Sequence, residues 1–279
     1  MNGGILILDK PEGLTSRDVD NAVMKTALTR KVGHLGTLDP FATGVLVVAI
    51  GQGTKFLPYL GGKRKTYIAS LILGSKTDTG DKTGRVVEER EAPKLTQEAI
   101  ESALFSFLGR SKQLSPAYSA LKTDGVPAYK MARLGKQVKR KERDIEVYSI
   151  RLLLHKGNRI DFSCEVSEGT YIRVLGEDIA MKLGAVGHLE KLRRVAVGPF
   201  SLKDARSFSK PNFLNPIDPT PYVDLPRIEA DEAMVLSAKQ GKRLNLIGEA
   251  ERYLIVREGE AVAVYRKEGE SYRSERGLF

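Results

Sequence analysis

KVGHLGTLDPFATGVLVVAI, Lys31 to Ile50, is the stretch from which the rest of the chain is read. Its second half, Gly44 to Ile50, is apolar and rich in β-branched residues, as a buried strand is. Its first half is expected to be neither strand nor helix. Gly33, Gly36 and Gly44 interrupt regular structure, and the Asp39-Pro40 step biases Asp39 away from helical backbone. A glycine-rich loop feeding a buried strand can hold one polar side chain rigidly in a cleft, and Asp39 and His34 are the candidates. Taken alone, Asp39 could equally cap an Asp-Pro turn and His34 could be an ordinary loop histidine. Their neighbours decide.

The 279 residues allow one large domain and a small one, and 41% hydrophobic with 29% charged residues fits a globular chain with an ample core. A formal charge of +10 favours a polyanionic partner, most simply nucleic acid. The single cysteine, Cys164, excludes an internal disulfide and a cysteine metal cluster, and its alternating surroundings mark it as a core thiol. No apolar run approaches membrane-spanning length and no signal-peptide pattern opens the chain, so the expectation is a cytoplasmic protein without a membrane partner.

Outward from the central stretch, residues 4–9 read as a strand. Thr15 to Asp18 has capping-box form and starts an amphipathic helix through Val19, Ala22, Val23 and Ala27. A dinucleotide fingerprint after the strand fails, because its third glycine would fall on Phe56, and there is no Walker A pattern. The carboxylates of Thr77 to Asp81 lack EF-hand spacing. Residues 66–74 and 84–90 read as strands. A helix capped by Thr96 carries Ile100, Ala103, Leu104, Phe107 and Leu108 and is expected to end at Gly109. A hairpin over 144–155 and 158–168 turns at Lys156-Gly157. A helix follows from Gly169 to about Leu183, and His188 to Arg194 is expected to lead into a short strand. Short turns between strands imply an α+β fold on a mixed, largely antiparallel sheet.

Two segments differ in character. Residues 110–143 interleave tyrosines with Lys136, Lys139, Arg140, Lys141 and Arg143, a composition suited to distorted or single-stranded nucleic acid, or else to a solvated loop around a short helix at 127–134. Residues 209–226 hold five of the 12 prolines and read as a stiff linker or a wrapping segment. Beyond it, a helix over 231–241 and a hairpin turning at 258–260 make a small, β-rich unit. The expected division is 1–224, with a basic insertion at about 110–143, and 225–279.

The pattern H-x-G-x-L-D-P-x-A-T-G-V-L, from His34 to Leu46, resembles the catalytic motif of the TruB family of tRNA pseudouridine synthases and their guide-RNA-dependent relatives. Lys10-Pro11-x-Gly13-x-Thr15-Ser16, Lys65-Thr66-Tyr67, Ser115 to Lys122, Gly169-Thr170-Tyr171-Ile172-Arg173 and Leu192-Arg193-Arg194 fit the same family in the same order. The resemblance covers roughly residues 3–200, with Leu35 standing where many relatives carry a smaller or polar residue. The tail resembles a PUA-type RNA-binding domain, mainly by position.

The resemblance implies a pseudouridine synthase fold. It also implies isomerisation of uridine in the T-loop of tRNA, at position 55, by base flipping and by cleavage and rejoining of the glycosidic bond, with Asp39 catalytic and neither cofactor nor metal. Arg173 would pair with and orient Asp39. Tyr67 would stack on the uracil and could serve proton transfer at C5, Tyr171 and Leu192 would wall the pocket, and His34 would contact the displaced nucleotide. RNA contacts are expected from Lys10, Lys63, Arg64, Lys65, Lys136, Lys139, Arg140, Lys141 and Arg143. Whether Asp39 attacks C1′, adds to C6 or takes a proton on the way to a glycal is open at this point. A glycosidase would normally need two carboxylates at fixed separation. An RNA chaperone would leave the loop around Asp39 without purpose. The basic insertion favours a monomer that grips the T-arm directly over a guide-dependent synthase.

Overall fold

The computed structural model describes residues 3–61, 64–116, 122–123, 126–127, 140–209 and 214–279. Its strands are β1 (Gly3–Lys10), β2 (Val32–Leu35), β3 (Thr43–Gly51), β4 (Arg64–Leu73), β5 (Ser75–Thr77), β6 (Val86–Glu89), β7 (Gly109–Leu114), β8 (Lys122–Thr123), β9 (Val126–Pro127), β10 (Glu142–Lys156), β11 (Arg159–Ser167), β12 (Gly187–Val197), β13 (Phe200–Ser201) and β14 (Arg206–Ser207). Ten of these form one sheet in the order β14-β1-β3-β12-β4-β11-β10-β7, with β2 beside β3 and β13 beside β12. Only the β1–β14 and β3–β12 pairings are parallel. The fold is therefore α+β on a mixed, largely antiparallel sheet.

Period explains which face each strand buries. In β11, Ile160, Phe162, Cys164 and Val166 point to one side, against helices α1 (Ser16–Thr26), α2 (Gln97–Phe105) and α3 (Ile172–Lys182). The Cys164 thiol is buried there, and burial pushes it up to about 12. β1 and β3 are instead apolar on both faces. Leu6, Leu8, Leu46 and Val48 join the helices, whereas Ile5, Ile7, Val45 and Val47 face the opposite side. That double burial is why both read as continuous hydrophobic runs.

The opposite side is covered by the tail. β15 (Arg227–Glu229), β16 (Arg252–Arg257), β17 (Glu260–Glu268) and β18 (Ser271–Gly277) form a second sheet in chain order. Leu254, Val256 and Val264 share a core with Ile5, Val45, Val47 and Phe56, and the alternate Tyr253, Ile255, Ala263 and Tyr265 face the core beneath helix α4 (Glu232–Lys239). The proline-rich segment wraps rather than links: Ile217 pairs with Ile5, and Val223 with Leu60.

Four local expectations change. Val32–Leu35 is a strand after all, because β3 meets β12 only at Thr43 and Gly44, which leaves the same edge free at Val47 to Ile50 for β2 to pair. His188 to Arg194 does not precede a strand but lies within β12, which pairs with β4 over its whole length. Helix α2 stops at Phe105, and Gly109, at φ +90°, opens edge strand β7 instead of capping the helix. Arg110 to Leu114 are therefore part of the sheet, paired with Glu142 to Glu146 of β10. Beyond Pro127, the short helix expected at 127–134 lies outside the described residues, as do Lys63, Lys136 and Lys139. No helix among the described residues is long and apolar enough to cross a membrane.

Candidate active site

The loop between β2 and β3 is built on two close approaches. Gly36, at φ +77°, ends β2 in backbone that favours glycine. Gly44, at φ +106°, lets β3 start against β12, where a side-chain carbon would sit 2.1 Å from the Arg194 carbonyl oxygen. Between them the chain leaves the sheet ladder, so its carbonyls must find donors elsewhere. Arg194, fully buried, provides them: Nε donates to Val45 O at 2.8 Å, Nη2 to Gly36 O at 2.9 Å and Nη1 to Thr37 O at 3.4 Å. Lys10, at the end of β1, ties its own turn to that loop, donating to Leu14 O at 2.7 Å, Pro11 O at 2.9 Å and, across to the loop, Pro40 O at 3.4 Å. Burial pushes its ammonium down to about 8, with Asp39 pulling the other way. Lys10 is 0% exposed, so the RNA contact expected of it is corrected: its donors are spent inside the protein. The capped start of α1 adds a further tie, since Ser16 Oγ accepts from Leu38 N at 2.8 Å.

These ties place Asp39 at a cleft of about 550 Å³, which is also lined by Lys65, Tyr67, Arg143, Tyr171, Arg173 and Leu192. Arg173, on the first turn of α3, grips the Asp39 carboxylate with both prongs, Nε to Oδ2 at 2.9 Å and Nη2 to Oδ1 at 3.2 Å. Its Nη1 donates to Thr79 O at 2.7 Å, and Asp81 Oδ2 stands 3.8 Å from Nε. The buried Asp81 is held in turn by the Thr83 backbone and the Thr83 and Thr79 hydroxyls. The side chain of Arg173 is 5% exposed and that of Asp39 36%, so the cation is fixed while the carboxylate faces the cleft. Tyr171, just before α3, is locked by Gln113 of β7, whose amide pairs with the Tyr171 backbone N and O at 2.8 and 3.1 Å.

Tyr67 lies on β4 between Cys164 and Arg194 in register. Burial pushes its phenol above the usual range, against the pull of the Arg194 guanidinium, so at neutral pH the ring meets a substrate with its proton on. Burial also lowers the Lys65 ammonium, which Glu168 at 4.0 Å partly counters.

The expected residues Asp39, Tyr67, Tyr171, Arg173 and Leu192 thus converge, with Lys65 and Arg143 on the same walls. His34 does not line the cleft; it reaches it through Thr37, whose Oγ1 is 3.2 Å from His34 Nε2. Arg64 lies over the Tyr148 ring at 4.0 Å, with its side chain 58% exposed. Arg140 donates from Nε to Ser115 O at 2.7 Å and lines a separate groove with Glu177 and Asp178; Lys141 is exposed. Sequence reasoning missed Ser16, Asp81, Gln113 and Arg194 as site residues. Ser16, Asp81 and Arg194 stood inside motifs or turns already singled out, and Gln113 lay within the segment 110–143 with nothing in its surroundings to mark it. Among the described residues no cluster of side chains could hold a metal ion.

The site is thus an arginine-held carboxylate turned into a cleft on a mixed, largely antiparallel sheet, beside a buried tyrosine. The pattern described as TruB family pseudouridylate synthase (N terminal domain) matches residues 24–172, more than half of the chain. The chain is 47% identical over 207 residues to tRNA pseudouridine synthase B of Geobacter sulfurreducens, an alignment covering 74% of this chain and 68% of that protein. It is 38% identical over 288 aligned positions to tRNA pseudouridine synthase B of Thermosipho melanesiensis, covering 99% and 94%. A chain of a solved Cbf5-Nop10-Gar1 complex shares the fold with a TM-score of 0.74 at 24% identity, covering 99% of this chain and 85% of that one. The protein belongs to the TruB family of pseudouridine synthases.

Proposed function

We propose that this protein isomerises uridine to pseudouridine in the T-loop of tRNA, at position 55, as a monomer that needs neither guide RNA nor cofactor. The observation that carries the reading is the Asp39 carboxylate, gripped at 2.9 and 3.2 Å by a buried arginine and turned toward a cleft beside Tyr67. The reaction breaks the N1–C1′ bond, turns the uracil, joins C5 to C1′ and returns the C5 proton to a ring nitrogen. No atom is gained or lost and nothing is oxidised, so the step balances with one carboxylate and a ring platform. Asp39 supplies the carboxylate at the sugar and base. Arg173 keeps it aimed, since both of its carboxylate-facing donors are already engaged. The Tyr67 ring supports the base, with Leu192 and Tyr171 closing the pocket walls.

The target uridine must leave its stack, at a cost of about a few kcal/mol. Lys65 and Arg143 at the cleft, and Arg64 and Lys141 outside it, offer phosphate contacts to offset that cost. The names of the two aligned relatives support tRNA as the substrate. Guide independence rests on the basic insertion, which supplies cations where a guide-dependent enzyme would rely on paired RNA. The test is incubation of pure protein with unmodified tRNA and with a T-arm hairpin alone, followed by mapping of pseudouridine. Product at position 55 in both is expected. Product only when a guide RNA is added would overturn the stand-alone reading, and no product at any uridine would overturn the activity.

A further inference from the structure

Helix α1 meets the catalytic loop through two polar side chains one turn apart on its buried face, Ser16 and Asp20. Ser16 trades hydrogen bonds with Leu38 and is fully satisfied. Asp20 is not. Its side chain is 2% exposed, Oδ2 lies 2.9 Å from His34 Nδ1, and Oδ1 is buried with no hydrogen-bond partner among the described residues. The Arg17 guanidinium stands 3.7 Å from Oδ2, but Arg17 is 67% exposed, so solvent screens it. An apolar side chain here would join Val19 and Val23 in the core without stranding an oxygen, so packing alone does not account for a carboxylate.

What the carboxylate does account for is the state of His34. A carboxylate offers only lone pairs, so the imidazole must carry its proton on Nδ1. Nε2 of the neutral ring is then an acceptor, 3.2 Å from the Thr37 hydroxyl. Thr37 lines the cleft and stands two residues before Asp39. We propose that Asp20 is a positioning residue for substrate recognition: through its bond to Nδ1 it fixes the tautomer and ring plane of His34, and through His34 and Thr37 it presets the loop face that receives the RNA. The proposal rests on the RNA-modifying reading above. Its first consequence, the tautomer of a ring in the free protein, does not.

The test uses the full chain with ¹⁵N-labelled histidine. There are three histidines, and a His34→Gln spectrum assigns the His34 ring. In spectra recorded where the ring is neutral, the wild type should show Nδ1 protonated and Nε2 bare. Asp20→Leu and Asp20→Ala should shift His34 toward protonation at Nε2, and Asp20→Asn, whose amide oxygen still accepts, should keep the wild-type pattern. In kinetics with tRNA, Asp20→Leu should raise KM about five- to tenfold, the size of one lost hydrogen bond, and leave kcat within about twofold. Asp20→Asn should restore KM, and Asp20→Leu on top of His34→Gln should add nothing. An unchanged His34 tautomer in both apolar variants would overturn the proposal, as would a tautomer shift with KM unmoved or full additivity with His34→Gln. Should Asp20→Leu fail to fold, Asp20→Ala carries the same comparison. Should the wild type modify no uridine, the functional reading falls, and a tautomer unmoved in the apolar variants would still separately refute the assignment of Asp20.

Discussion

Replacing Arg194 with methionine tests how the catalytic loop is held. The guanidinium is fully buried and donates to the carbonyls of Val45 and Gly36 at 2.8 and 2.9 Å, with a longer bond to Thr37 at 3.4 Å. Charge-assisted hydrogen bonds contribute roughly 1.5–3 kcal/mol each. Methionine removes them, but it also removes the cost of keeping a guanidinium out of water, which is of comparable size. What is left is two well-aligned carbonyls without donors, at about 1–3 kcal/mol apiece. The expected loss is therefore roughly 2–6 kcal/mol, read as a lower midpoint in urea at an unchanged slope.

The functional consequence is separable from the loss of stability. Gly36 and Thr37 precede Asp39 by three and two residues, and a shift of about 1 Å at a reacting group costs on the order of a hundredfold in rate. Single-turnover measurements at a temperature where the variant is fully folded should show that drop, with tRNA affinity changed far less. Arg194→Lys should recover part of the stability, since one ammonium can reach one of the two carbonyls but not both in the planar geometry of a guanidinium. Wild-type turnover from folded Arg194→Met would refute the claim that these bonds position the loop. Wild-type stability would refute the claim that the carbonyls depend on Arg194.

Asp39→Asn keeps the shape of the site and removes the carboxylate; turnover should fall below detection in a pseudouridine assay while tRNA binding stays within about threefold, since one surface-facing charge is lost. Lys10 predicts a pH signature: its proton is released from the folded chain near 8 and from the unfolded chain near 10.5, so between those values the unfolded state binds more protons and stability rises with pH. The rise from this group should approach roughly 3 kcal/mol and be absent from Lys10→Met, and a wild-type-minus-variant difference that stays constant across that window would contradict it. A chain ending at Asp224 loses Leu254, Val256, Val264 and Leu278, which cover Ile5, Val45 and Val47. At about 1.5–3 kcal/mol for each large side chain exposed, the fragment should aggregate or melt early, and a soluble fragment with a wild-type midpoint would show the tail to be a detachable module. If Arg64, Lys65, Lys141 and Arg143 each meet a phosphate, log Kd for tRNA should rise against log salt with a slope of about 3, and a flat plot would exclude them as the footprint.

The sequence was most legible where one physical pattern governs a whole element. The capping box at Thr15 and Asp18, the alternation Ile160, Phe162, Cys164 and Val166, and the run Gly44 to Ile50 each became the element expected. The failures share a cause. β2 is too short and too glycine-rich to be read as a strand, and it exists because β3 has a free edge that only the assembled sheet creates. β18 and the edge strand β7 are likewise polar segments that pair because a neighbour offers its backbone. Tertiary pairing has no local signature, so the number of strands was underestimated although the fold class was read correctly.

The same distinction governs the site. Lys10, Arg64, Lys65 and Arg194 are alike in sequence, cations beside motif residues in a chain of formal charge +10, and the sequence reading assigns RNA contacts to the first three. The structure divides them by what the catalytic loop needs. A loop that leaves the sheet at Gly36 and rejoins it at Gly44 cannot satisfy its carbonyls by ladder bonds, and neutral side chains would supply at most one or two donors each. A lysine offers three donors and an arginine five, so burying two cations at the loop answers several carbonyls at once, and the Lys10 charge also interacts with Asp39. That arrangement braces the backbone around Asp39, while Arg173 holds the carboxylate itself. It also uses the cation nearest the chain's start and the one nearest the end of β12 for support, whereas the Arg64 side chain stays 58% exposed and Lys65 and Arg143 line the cleft. A lysine or arginine in such a motif is therefore read by counting the backbone carbonyls its donors reach: three, as for Lys10 and Arg194, mark a strut.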